Sequence, residues 1–306
     1  MPNIIKKTFY KFFDKEKYFS FKSKEKVNES YKRFKNITEK QIKNIREKID
    51  GKSELTFLHF GHCGDIVCSL AAIKELSKSH KCNLYIEINK KMPLPYHKHP
   101  AGNVYIDERI FKMLIPLLKH QKYLNKVNKY ENQEIDIDLN IFREMPINLN
   151  FSSPRWFFHV TGVQTDLSQP YLEAEDHNDL RDKIIIHRTF RYRNNFINYK
   201  FLNNFKDLYF IGLKNEYEDL KKQVNNLKFY ECKNYLDMAN IIKSSKFFLG
   251  NSSIAFPIAE ALKVPRLLEA SPDFPVMQPI GKEAFDFYYQ PHFEKLFNYL
   301  NEKYTH

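Results

Sequence analysis

The sequence predicts an α/β protein with two parallel-sheet units behind a basic, helical N-terminal extension. Three observations predict it. A strand-loop-helix-strand pattern opens at residue 55, a second series of short apolar runs and helical segments fills 184–268, and a polar, helix-favouring stretch fills most of 1–50. Short apolar strands alternating with helices are the mark of a parallel sheet covered on both faces. At 306 residues the chain has room for two domains. The divisions read as 1–50 for the extension, 51–175 for the first unit and 176–306 for the second.

The extension holds 15 lysines and arginines against 7 acids, so +8 of the net +12 lies there. The rest of the chain is close to neutral, which argues against nucleic acid as a partner of the main body. Phe9, Tyr10, Phe12, Phe13, Tyr18, Phe19 and Phe21 stand among the lysines. Two readings follow. The extension packs these aromatics on the main body, or it is a peripheral anchor in which Ile4, Ile5, Phe9, Phe12 and Phe13 share one helix face against an anionic leaflet. No 18-residue apolar stretch is present, and the first residues lack a signal peptide's apolar run and cleavage site. Cys63, Cys68, Cys82 and Cys232 form no Cys-x-x-Cys pair, which points to a reduced, cytoplasmic setting.

Asp50-Gly51 punctuates the chain before the first unit. The run 55–60 reads as a buried strand, 61–65 as a turn, and Ile66, Val67, Leu70, Ile73 and Leu76 recur at helical spacing. A second strand is expected at 84–88 and a helix over 106–123, bent or divided by Pro116. Residues 135–139 alternate like a strand, and 140–180 read as irregular and connecting. In the second unit, strands are expected at 184–187, 208–211, 228–232, 247–249 and finally 264–268. Helices are expected from Glu216, over 235–244, over 254–262 and over 293–304. Both units are therefore Rossmann-like.

Three segments could carry chemistry. In Gly61-His62-Cys63-Gly64-Asp65 the glycines permit close backbone approach, and the helix start behind them favours negative charge. Asp65 is either a general base or an N-cap. Gly250-Asn251-Ser252-Ser253 offers hydroxyls and free amides to a diphosphate, or caps its own helix. Arg188, Arg191 and Arg193 follow a buried strand and either grip phosphate or line a solvated loop. His97 and His99 lack further partners at zinc-binding spacing, and Asp136 and Asp138 share one face of a partly buried strand. No metal and no cofactor are expected.

In this order the pieces resemble glycosyltransferase family 9, the ADP-heptose:lipopolysaccharide heptosyltransferases, which have the GT-B fold. That family's first strand ends in a Gly-Asp turn before a Leu-Pro-Ala-Ile-like helix; here the match is Gly64-Asp65 and 66–73. Its second-domain turn, Gly-Asp-Ser/Thr-Gly-x-x-His, is matched by Gly250-Asn251-Ser252-Ser253 and 254–259. Asn251 stands where the family has an acid, Phe256 where it has histidine, and Ala71 where it has proline. The resemblance implies a diverged, inverting and metal-independent glycosyltransferase. It would take a nucleotide-diphosphate sugar and a glycan or glycolipid acceptor at the cytoplasmic membrane face. Asp65 would be the base, and Ser252, Ser253 and the three arginines would hold the diphosphate. A nucleotide-sugar epimerase on the same fold and a non-catalytic nucleotide-sugar-binding scaffold are the alternatives.

Overall fold

A computed structural model describes residues 2–93, 99–145, 149 and 151–304. The extension forms α1 (Pro2–Phe13), α2 (Lys15–Arg33), a π-helical stretch (Phe34–Thr38) and α3 (Glu39–Asp50). Asp14 starts α2 by accepting from the amide of Lys17. α1 folds back on α2 through the Tyr10 and Phe21 rings and a Lys7–Glu25 ion pair. α3 reaches the core, burying Ile45 and Ile49, while Arg46 donates to the Gly162 carbonyl. The aromatics of α1 do not pack on the main body: Phe9, Phe12 and Phe13 are 56–75% exposed. Of the two expectations for the extension, the packing one is therefore corrected.

The first sheet contains β1 (Glu54–His59), β2 (Lys81–Ile86), β3 (Leu124–Lys129) and β4 (Ile137–Asp138). Its order is β3-β2-β1-β4, with every pairing parallel. α4 (Cys63–Leu76) joins β1 to β2, and α5 (Glu108–Lys119) leads into β3. Pro116 sits within α5 without dividing it. Two expectations need correction. β3 is absent from the sequence reading because this edge strand buries only Leu124 and Val127 among polar residues. The stretch 140–180 is not wholly irregular, for it holds part of a 3-10 turn (Leu139–Arg143) and α6 (Pro154–Thr161). α6 starts with proline at its first position and buries Trp156, Phe157 and Val160, a stripe too short to announce a period.

The second sheet contains β5 (Ile184–His187), β6 (Leu208–Ile211), β7 (Lys228–Tyr230), β8 (Phe247–Asn251), β9 (Arg266–Glu269) and β10 (Ala284–Phe287). Its order is β10-β9-β8-β5-β6-β7, again all parallel. The first three strands run outward one way from β5 and the last three the other way, as in a Rossmann sheet. The run at 264–268 is not the last strand; β10, a half-exposed edge strand, follows it. α7 (Lys214–Lys221), α8 (Tyr235–Lys243), α9 (Ala255–Leu262) and α10 (Gln290–Lys303) complete the unit.

One apolar core runs through both units. It joins Phe57 and Leu84 of the first sheet to Ile185 and Phe248 of the second. α4 meets α9 where Gly64 faces Pro257, and the Ser153 amide and hydroxyl both donate to the Val276 carbonyl across the units. A smaller core of Phe247, Phe287, Phe293 and Phe297 lies on the far face of the second sheet.

Candidate active site

Open parallel sheets bind ligands at the carboxyl ends of the strands where the strand order reverses. In the first sheet that point lies between β1 and β4. The loop after β1 delivers Asp65 and the turn after β4 delivers Arg143. Arg143 Nη2 donates to Asp65 Oδ2 at 2.7 Å. Its guanidinium lies 4.2 Å from the Phe142 ring centre and 5.0 Å from that of Tyr105, which fixes its orientation. Gly61 makes the pair possible: a Cβ there would fall 2.7 Å from Arg143 Nη2 and 3.0 Å from Asp65 Oδ2. The Gly61 amide donates to His59 Nδ1 at 2.9 Å, so this buried imidazole is neutral at that nitrogen, and burial pushes its pKa well below the usual value.

Asp65 is not the N-cap. His62 holds that place, and Asp65 is the third residue of α4, its carboxylate accepting from the His62 amide. This is the reciprocal half of a capping box. Burial raises the Asp65 pKa, and the adjacent Arg143 charge opposes the rise. Burial, with Arg191 and Arg143 nearby, pushes His62 down to about 3, so this imidazole is neutral at physiological pH.

In the second sheet the reversal lies between β5 and β8. Ser252 and Ser253 border the cleft just before α9. Gly250 is required by packing, because a Cβ would fall 2.7 Å from Phe248 Cζ and 2.9 Å from the His187 carbonyl oxygen. Asn251 is wholly buried. Its Oδ1 accepts from the Thr189 amide and hydroxyl, and its Nδ2 donates to the Thr189 carbonyl. Asn140 has the matching place in the first sheet, accepting from the Phe60 amide and donating to the Leu58 carbonyl. Each reversal point is thus stapled by a buried asparagine. Phe256 lies in the core beside Phe248.

The three arginines part company. Arg188 is buried and forms a two-pronged pair with Glu269, at 2.6 and 2.9 Å, beneath the Tyr199 ring. Arg193 pairs with Asp219 at 2.6 Å and stacks on Phe190. Neither borders the cleft. Arg191 does, and among the described residues it has no ion pair. The cleft, about 450 Å³, therefore brings Asp65, His62 and Gly64 from one unit together with Arg191, Ser252 and Ser253 from the other. Gly61 and Arg143 stand behind Asp65.

Sequence reading missed two groups. Arg143 lies in a stretch whose sequence carries no periodic pattern, and only the position of β4 beside β1 reveals it. Glu216, in the first turn of α7, borders the cleft; its Oε1 accepts from the Phe190 amide, its Oε2 has no hydrogen-bond partner among the described residues, and burial raises its pKa. Asp136 accepts from the Thr56 amide and pairs with Lys52, while Asp138 caps the turn before Asn140, so both serve the fold. Among the described residues no group of three or more histidine, cysteine or acidic side chains is placed to hold a metal ion. His97 lies outside the described residues.

No protein-family model matches the sequence, and no curated protein does. Solved structures do match. The family 9 glycosyltransferase from Veillonella parvula aligns over 77% of this chain and 86% of its own, with a TM-score of 0.51 and 12% identity. The E. coli heptosyltransferase WaaC with ADP-2-deoxy-2-fluoro heptose aligns over 81% and 99%, with a TM-score of 0.55 and 11% identity. The same enzyme with ADP aligns over 82% and 98%, with a TM-score of 0.50 and 10% identity. The fold is GT-B. At these identities the likeness to the family 9 structures is one of fold. In this GT-B chain both reversal points open on the same cleft, so a residue from either unit can reach a ligand held between them.

Proposed function

We propose that the chain is an inverting, metal-independent glycosyltransferase that moves a sugar from a nucleoside-diphosphate donor to a glycan or glycolipid acceptor. One observation carries the proposal: an arginine-backed carboxylate, Asp65, faces a second wall bearing Arg191, Ser252 and Ser253 across one cleft. Asp65 takes the proton of an acceptor hydroxyl as that oxygen attacks the anomeric carbon. The diphosphate leaves from the opposite face of the sugar, which inverts the configuration. Arg191, the two serine hydroxyls and the start of α9 stabilise the departing charge. Arg143 favours the ionised form of Asp65. Glu216 Oε2 can accept from a donor hydroxyl.

This reading narrows the expected phosphate grip to Arg191, because Arg188 and Arg193 are engaged with Glu269 and Asp219. It also explains how the turn works without the acid and histidine of the resembled motif. Asn251 and Phe256 are committed to the fold, and Ser252 and Ser253 between them border the cleft. The division at 50 and 175, and a cytoplasmic setting, belong to the same reading; the first is supported by the two separate sheets.

The test is Asp65→Asn. Asparagine still accepts from the His62 amide but cannot take a proton at neutral pH. Turnover should fall by roughly 10²–10⁴-fold, with nucleoside-diphosphate affinity and thermal stability nearly unchanged. Transfer at the parent rate would remove Asp65 as the base. Turnover should also survive EDTA; a loss restored by magnesium or manganese would overturn metal independence.

A further inference from the structure

α1 carries its apolar side outward. Lys7, Tyr10 and Asp14 face α2, through the Lys7–Glu25 pair, the Tyr10–Phe21 contact and the cap on Lys17. At 3.6 residues per turn, Ile5, Phe9, Phe12 and Phe13 fall on the opposite arc. These four are 72%, 56%, 73% and 75% exposed, and Phe9 and Phe13 stack on each other at 4.9 Å. A helix that docks on its own protein does the reverse, because burying the apolar stripe is what makes docking favourable. The exposed face is contiguous and apolar, and such faces mark binding surfaces.

Charge selects the occupant. Lys6 and Lys11 of α1 and Lys15 at the start of α2 are exposed, and α1 contains no acid. A second copy would set these lysines against their own counterparts, with +8 on each extension. An anionic lipid surface would neutralise them while taking up the aromatics. No described helix is long and apolar enough to cross a membrane, so the contact would lie in the interface plane. We propose that α1 is an interfacial membrane-docking helix for an anionic phospholipid bilayer. α2 and α3 carry it, and α3 is fixed to the acceptor-side unit by Ile45, Ile49 and the Arg46–Gly162 bond. The inference needs no catalytic step, so it stands or falls apart from the glycosyltransferase reading.

Full-length protein is sedimented with phosphatidylglycerol/phosphatidylethanolamine vesicles and with phosphatidylcholine vesicles, at low and high salt. The parent chain should bind the anionic vesicles and release as salt rises. Phe12→Ser should weaken binding roughly tenfold, and Phe9→Ser/Phe12→Ser/Phe13→Ser should abolish it. Lys6→Glu/Lys11→Glu should lose the salt-sensitive part. All these side chains are exposed, so thermal unfolding and nucleoside-diphosphate binding should match the parent. Equal vesicle binding by the triple variant would overturn the proposal. So would failure of the parent to bind, or a parent dimer on sizing chromatography that the triple substitution converts to monomer.

Discussion

Three arginines that look alike in sequence have three fates, and the difference is measurable residue by residue. Arg191 faces the cleft without an ion pair among the described residues, so Arg191→Ala should weaken nucleoside-diphosphate binding by about 1.5–3 kcal/mol in calorimetric titration, with little change in melting temperature. Arg188→Ala should do the opposite. It strands Glu269 in the interior, and unfolding should cost about 3–5 kcal/mol less, measured by denaturant titration. If Arg188→Ala were stable and lost donor affinity, the assignment of the grip to Arg191 would be wrong. At Asp65 the expected signature is in pH. A carboxylate base works when ionised, so activity falls as pH drops through its pKa. Burial has raised that pKa and Arg143 restrains the rise. In Arg143→Gln the acidic limb of the kcat/KM profile should therefore move to higher pH, whereas loss of a merely structural contact would leave the limb in place.

At the scale of elements, the two buried asparagines close each sheet at its point of reversal. Asn140→Ala or Asn251→Ala would leave buried amides and carbonyls of the neighbouring strand end unpaired. Each should reduce stability by about 1–3 kcal/mol, read by denaturant unfolding. A change indistinguishable from a surface substitution would show that water replaces the staple. The same elements show what the sequence could disclose. β1, β5, β6 and β8 were legible because central parallel strands are buried on both faces and read as short apolar runs. β3 and β10 were not, because edge strands bury few residues and their pattern merges with loops. Asp65, Ser252 and Ser253 were legible because they follow glycine turns after such runs. Arg143 was not: its position depends on β4, which pairs with β1 through only two residues, lying beside a strand 80 positions earlier. Of the three arginines only Arg191 borders the cleft, and spacing along a loop does not reveal that Glu269 lies beneath Arg188.

For the whole molecule, the shared core decides how the chain unfolds and how a ligand acts on it. Two sheets joined by a flexible hinge alone would melt separately. Here α4 packs on α9, Ser153 holds Val276, and one apolar core passes from Phe57 to Phe248. Exposing either sheet therefore uncovers apolar surface on the other. The main body should unfold in one calorimetric transition with the van't Hoff and calorimetric enthalpies equal. The α1–α2 hairpin, with no buried residue in α2, should contribute almost nothing to that transition. A nucleoside diphosphate held between the reversal points binds only when both walls are in place, so it should raise the single melting temperature as a unit. At 100 times its dissociation constant the gain is about 2.7 kcal/mol. Two resolved transitions, with the ligand moving only the later one, would mean that the second unit holds the donor alone and that the two units are not one cooperative body. A single transition that moves with ligand, and moves less in Arg191→Ala, would tie the fold, the cleft and the proposed grip together in one measurement.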